Sequence, residues 1–375
     1  MDYKGINQYM DRLIAEGSPQ NPVWNIEFIR QKKKPSFNYI DGCMMISLIN
    51  LYKKTGEEKY FDFVKNYIDF FLTDDGDILY YDKEEYNLDN VNEGRVFFDL
   101  YEKTGDEKYK KAAYKLFNQL IDQPRTKEGN FWHKKIYPNQ VWLDGLFMAQ
   151  VFSYRFQANF GKGDYSDVIN QFRTVERVMK DSSTGLYYHG YDSSKKMFWC
   201  DERGLSKNFW LRATGWYLAA LSDVTSYMED GAVKREFSAY LKNAVDSVLN
   251  FMDQDSGMFY QVINMADRPG NYLETSGSAL IAYAILKGAN SGVLDKSYLA
   301  VGKKIFDGIV NKYFKENNGV IELNGICLVA GLGPESNLRR DGSFEYYISE
   351  PIVSTDAKGV APFILAYVEL LSADL

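Results

Sequence analysis

The stretch LYKKTGEEKYFDFVKNYIDFFL (residues 51–72) returns as LYEKTGDEKYKKAAYKLFNQLI (residues 100–121), an offset of 49 residues. Both copies read as the end of one helix, a turn at Thr-Gly, and then an amphipathic helix. Phe61, Val64, Ile68 and Phe71 form the apolar stripe of the first copy. Ala113, Leu116, Phe117 and Leu120 form that of the second. The other face of each is charged, so both helices lie on the outside of a bundle.

Beyond these copies the repeat survives as punctuation. Gly76, Gly129, Gly185, Gly257 and Gly319 each follow a helical segment and a polar cluster, where the chain must leave the helix. A second series, Gly42, Gly94, Gly145, Gly215, Gly277 and Gly359, sits near the start of mostly apolar segments such as WLDGLFMAQVF and ETSGSALIAYAI. Helices apolar on most sides are buried. Six inner helices therefore alternate with outer helices near 57–72, 106–121, 164–180, 232–252 and 295–314, with the segment near 4–16 as the sixth. The expected fold is an all-α (α/α)6 barrel, one domain over residues 1–375. Strand signals are weak and confined to loops such as GLYYHGYD and GMFYQV. The inner helices all start on one side, so their first turns ring one mouth, where a cleft forms.

Composition narrows the function classes. The 375-residue chain is 45% hydrophobic and 25% charged, ordinary for a globular protein, but 16% aromatic, which suits a large helical core or a sugar-binding cleft. Its 44 basic and 51 acidic residues give a formal charge of −7. That argues against nucleic acid or an anionic membrane as partner, and the run QKKKP (31–35) reads as a solvated loop. No signal peptide or membrane span is expected. Cys43, Cys200 and Cys327 are odd in number and widely spaced, which reads as reduced thiols in a cytoplasm. The two histidines, His133 and His189, belong to no Cys/His cluster with metal-site spacing, so no zinc site is expected.

Asp144 stands at the apolar start of the third inner segment, and Asp89 matches it one repeat earlier. Each reads either as a helix cap or as a working carboxylate. As a pair at the starts of neighbouring inner helices they would face each other, and one pKa would rise. Trp142 and Phe147 would push the same way, leaving Asp144 a general acid. His133 and His189 both fall in mouth loops. Arg212 and Trp216 share a helix face. They read either as a stem packed on an indole or as a carboxylate fork beside a sugar platform.

The motifs LDNVNEGRVFFDLYEKTGDEKY, FWHKKIYPNQVWLDGLFMAQV, NFWLRATGWY, YLETSGSALIAYAI and DGSFEYYISEPIVSTDAKGVAPFILAY together resemble glycoside hydrolase family 105, the unsaturated rhamnogalacturonyl hydrolases, related to the family 88 unsaturated glucuronyl hydrolases. The resemblance runs from about residue 35 to the C-terminus and implies the same barrel. By position it implies Asp144 as catalytic acid and Asp89 as second carboxylate. It implies His189, Arg212, Trp216, His133, Lys134 and Tyr39 as substrate-binding residues. The implied partner is a small anionic oligosaccharide with a 4,5-unsaturated uronate at its non-reducing end, whose double bond is hydrated with no metal and no cofactor. The loop GLGPESNLRRDG (331–342) departs from the Gly-Gly…Tyr-Arg-Asp-Gly run of relatives, which leaves the next sugar open. The alternatives are a glycosaminoglycan or ulvan substrate, a sugar epimerase or isomerase on the same toroid, and a binding toroid without catalysis. The sequence is silent on oligomeric state.

Overall fold

The Thr-Gly turns of the two repeat copies have one geometry. Gly56 (φ 72°) and Gly105 (φ 69°) end their helices in the left-handed region, with N–H groups returned to the carbonyls of Tyr52 and Tyr101. A side chain there would be strained, so glycine is required. The computed structural model describes residues 3–373.

The six inner helices are present. They are Tyr39–Thr55; the run Leu88–Glu93, Gly94–Val96 and Phe97–Thr104; the run Leu143–Gly145, Leu146–Gln150 and Val151–Asn159; Leu211–Tyr227; Thr275–Asn290; and Ala357–Leu370. Outer helices span Lys4–Glu16, Glu58–Asp69, Glu107–Asp122, Ser166–Val178, Ala232–Leu249 and Tyr298–Tyr313. Successive inner helices pack side by side, and the sixth closes on the first, which makes the ring the repeats predict. Every residue from Leu211 to Thr225 is buried, as a wall with neighbours on both sides requires.

The second glycine series has a different job. A Cβ on Gly42 would lie 2.8 Å from the Glu93 Cα, and one on Gly277 would lie 2.4 Å from Leu211 Cγ. These glycines let adjacent inner helices approach closely. Across the ring, Arg95 of the second inner helix pairs with Asp223 of the fourth at 2.7 Å, and Tyr283 of the fifth donates to the same carboxylate at 2.5 Å.

Strands are few and short. Gln140–Trp142 pairs antiparallel with Gly190–Asp192, inside GLYYHGYD. GMFYQV holds only isolated bridges, at Tyr260 and Val262. At the fifth copy of the punctuation, Gly319 turns a hairpin of Phe314–Asn317 and Val320–Leu323. Among the described residues, no helix is long and apolar enough to cross a membrane, and Cys43, Cys200 and Cys327 are free thiols.

Candidate active site

One backbone bond recurs at the mouth. The first N–H of an inner helix donates to a carbonyl in the loop before the next inner helix around the ring. Leu88 donates to His133, Leu143 to His189, Leu211 to Gln261, Thr275 to Gly325 and Ala357 to Trp24, at 2.8–3.1 Å. The next residue along each helix is then placed equivalently. Those residues are Asp89, Asp144, Arg212, Ser276 and Lys358, all buried.

Three of them, Asp89, Asp144 and Arg212, line a cleft of about 280 Å³, near the small end of the ~300–1,000 Å³ usual for small-molecule sites. Its walls include Tyr39, Asp89, His133, Lys134, Trp142, Asp144, Arg212 and Trp216. Seven of the eight residues singled out from sequence thus share one cavity. The eighth, His189, is fully buried behind Asp144.

Neither aspartate is the cap of its helix. Asn87 caps the Asp89 helix with its side chain, and Trp142 precedes the Asp144 helix without a side-chain bond. Asp89 is held by Lys134 at 2.6 Å and faces His133 Nε2 at 3.4 Å. Asp144 Oδ2 faces His189 Nε2 at 3.4 Å, and neither atom has another hydrogen-bond partner among the described residues. The two Asp–His contacts are therefore repeat-equivalent. His189 Nδ1 lies 2.7 Å from the Tyr347 hydroxyl. A carboxylate opposite Nε2 calls for a proton there. In the neutral ring that leaves Nδ1 to accept from Tyr347.

The expectation that Asp144 is kept protonated by Asp89 and an apolar collar is corrected here. Burial pushes its pKa up, but the hydrogen-bonding and charge influence of His189, followed by that of His133, outweighs burial and holds the carboxyl below its ordinary 3.8. The charge of Asp89 is taken up by Lys134 instead, whose own pKa is raised by that carboxylate against the opposing effect of burial. Burial lowers His133 to about 4 despite Asp89, and its ring stacks on Trp142 at 4.4 Å. A histidine in that state is a neutral wall near pH 7, which disfavours an isomerase built on it.

The indole beneath Arg212 is Trp210, with the guanidinium 4.9 Å from the ring centroid. Trp216 packs on Phe147 instead, at 4.5 Å. Arg212 is tethered through Nη1 to the Cys327 carbonyl at 2.5 Å and Ser276 Oγ at 3.2 Å. It has no carboxylate within ion-pair distance among the described residues, yet it lines the cleft.

Sequence reasoning missed several members of this site. Trp210 and Tyr137 line the cleft, and Tyr347 supports His189. Lys33 and Arg340 also line it, although their segments read as a solvated loop and a divergent loop. Glu27 lines it too and is bound from behind by Lys358 at 2.9 Å. No group of three or more His, Cys, Asp or Glu side chains arranged to hold a metal ion occurs among the described residues.

The family model described as Glycosyl Hydrolase Family 88 matches residues 10–373. A solved glycoside hydrolase from family 105 of C. acetobutylicum is 41% identical, with a TM-score of 0.88 over 97% of this chain and 99% of that one. The unsaturated rhamnogalacturonyl hydrolase YesR of Bacillus subtilis is 27% identical over 314 residues, 80% of this chain and 79% of that protein. Protein Atu3128 of Agrobacterium fabrum is 36% identical over 211 residues, 55% of this chain and 90% of that protein.

Proposed function

The chain belongs to Glycosyl Hydrolase Family 88, and from that premise we propose that it removes a 4,5-unsaturated uronate from the non-reducing end of lyase-generated oligosaccharides. Rhamnogalacturonan from pectin is the proposed source, in keeping with the name of the relative from Bacillus subtilis. The cytoplasm is the proposed compartment, which suits three free thiols. One toroidal unit over residues 1–375 performs the reaction.

The observation that carries this reading is the placement of Asp144 and Arg212 at equivalent positions of adjacent inner helices, on one aromatic-walled cleft. The mouth is ringed by helix N-termini, whose partial positive charge favours an anion. Arg212 takes the uronate carboxylate and Trp216 or Trp142 faces the sugar ring. Asp144 gives its proton to C4 as water adds through oxygen to C5, and the Asp144 carboxylate takes the proton that water loses. The C4=C5 bond becomes a C4–H and a C5–OH. The resulting hemiketal opens, and the glycosidic bond to the next sugar breaks.

Asp144 is ionised in the free cleft near neutral pH, so its acid form belongs to the complex. An entering uronate brings a second negative charge and displaces water, and both raise a carboxyl pKa. His189, supported by Tyr347, and Lys134, holding Asp89, keep the two carboxylates in place.

The test is incubation with unsaturated rhamnogalacturonan disaccharide, following loss of the ultraviolet absorbance of the conjugated uronate. Loss with the parent and none with Asp144→Asn is expected. A flat trace from folded parent on rhamnogalacturonan, glucuronyl and ulvan disaccharides alike would refute the reading.

A further inference from the structure

Lys358 is a buried cation with two carboxylates around it. Its Nζ lies 3.0 Å from Asp356 and 2.9 Å from Glu27. Asp356 is fully buried and suffices to neutralise it. Glu27 is therefore surplus charge, and it lines the cleft. Its Oε1 takes the Lys358 bond. No other side-chain hydrogen bond or ion pair reaches Glu27 among the described residues, which leaves Oε2 for the cleft. Burial pushes the Glu27 pKa up, but Lys358, then Lys33 and Arg212, outweigh burial and hold it below the ordinary 4.5. An ionised acceptor on the wall of a cleft that takes an anion repels its ligand, unless the ligand brings it a proton donor. On a sugar the donors are hydroxyls.

The order of the ring selects the hydroxyl. Asp144 and Arg212 belong to the third and fourth inner helices, and the sixth and first lie across the mouth from them. Glu27 stands on that far side. It is bound to the sixth helix through Lys358, and its own helix, Ile26–Gln31, leads into the first. Asp356 fixes this helix as well, accepting from the Ile26 N–H at 3.3 Å. Arg212 is near enough for its charge to be felt at Glu27, yet the two form no ion pair among the described residues. Tyr39, on the first helix, feels Glu27, Asp89 and Arg212 together, so all three border one space. In the unsaturated uronate the carboxylate is on C5, and the ring atom opposite C5 is C2. With the carboxylate on Arg212 and C4 at Asp144, the C2 hydroxyl points across the mouth.

We propose that Glu27 accepts a hydrogen bond from the C2 hydroxyl of the unsaturated uronate, and that Lys358 and Asp356 hold it in place for that contact. The inference rests on the hydrolase reading above and adds to it a residue that reads the uronate ring itself.

The experiment measures kcat/KM on unsaturated rhamnogalacturonan disaccharide with its uronate intact, 2-deoxy or 3-deoxy, in the parent, Glu27→Gln and Glu27→Ala. Each protein is compared with itself, so a partial loss of folded enzyme drops out of the ratios, and the intrinsic reactivity of each sugar drops out between proteins. From parent to Glu27→Ala the intact-to-2-deoxy ratio should fall by about 10–100-fold, the effect of one hydrogen bond to a charged acceptor. Glu27→Gln keeps the shape and an oxygen for Lys358 but not the charge, and its ratio should fall between the two. The intact-to-3-deoxy ratio should stay at the parent value in both variants. Turnover with an intact-to-2-deoxy ratio that neither variant moves, or a change confined to the 3-deoxy ratio, would overturn the contact and leave the hydrolase reading intact. No turnover of the intact disaccharide by folded parent would remove both.

Discussion

Acid should destabilise this protein through one ring that takes no proton in the folded state. His133 is buried against Trp142, and burial lowers its pKa from 6.5 to about 4. Between those values the unfolded chain binds a proton at this residue that the folded chain does not. Stability from this source is intact above 6.5 and is lost as pH falls towards 4. The full difference corresponds to about 3 kcal/mol at ~1.36 kcal/mol per unit, and linkage places about 2 kcal/mol of it at pH 5. At ~2.1 cal/mol/K per residue, 375 residues give an unfolding entropy of about 0.8 kcal/mol/K, so the Tm effect at pH 5 is about 2–3 °C. Asp144 does not confuse the measurement, because its pKa is held below 3.8 and its window lies at lower pH. The assay is calorimetry of the parent and His133→Gln at pH 7.5 and 5.0. The variant should start lower, having lost its stack, but should lose about 2–3 °C less on acidification. Equal acid losses in the two proteins would refute the argument.

Other expectations follow from the same geometry. In His189→Gln the group that holds Asp144 down is gone, so its pKa rises, and the loss of kcat/KM with increasing pH should move to higher pH; no movement would discount the contact at 3.4 Å. In the parent, kcat should persist to higher pH than kcat/KM, since kcat reports the complex and kcat/KM the free enzyme. Asp223→Ala strands Arg95 in the ring's interior, where their side chains are 1% and 5% exposed, and should cost about 3–5 kcal/mol. In calorimetry, Arg95→Met/Asp223→Leu should be less damaging than the single change. Gly42→Ala puts a Cβ 2.8 Å from the Glu93 backbone and should cost about 1–3 kcal/mol, read by denaturation.

The ring was legible because its signals are local. A Thr-Gly turn, an outer stripe and an apolar inner run each lie within a few turns of chain, and the ring is their repetition. The site was legible as a set of residues but not as a set of states. Asp144 sits among apolar neighbours in sequence, and that context alone points to a raised pKa. The group that reverses the sign, His189, arrives from the next loop and is hidden from any window around residue 144. Spacing also conceals the equivalence of the mouth residues. Asp144 precedes its glycine by one residue, Arg212 by three and Asp89 by five, because each glycine is placed by the neighbour it packs against: Leu88 and His133 for Gly145, Leu280 for Gly215 and Leu116 for Gly94. Lys33 and Arg340 lie in irregular loops, where no periodicity reports which side chain turns inward.

The π turn at Leu146–Gln150 lies just downstream of Asp144 and holds one residue more than an α turn. The extra residue is taken up within a single turn, so the helix keeps its phase on either side. Deleting one residue there would let the segment close to α geometry with Asp144 still aimed at His189 and the cleft. The same deletion in the unbroken helix Leu211–Tyr227 would turn Arg212 by about 100° relative to the buried face below it. Chain length is thus buffered beneath the carboxylate and not beneath the guanidinium.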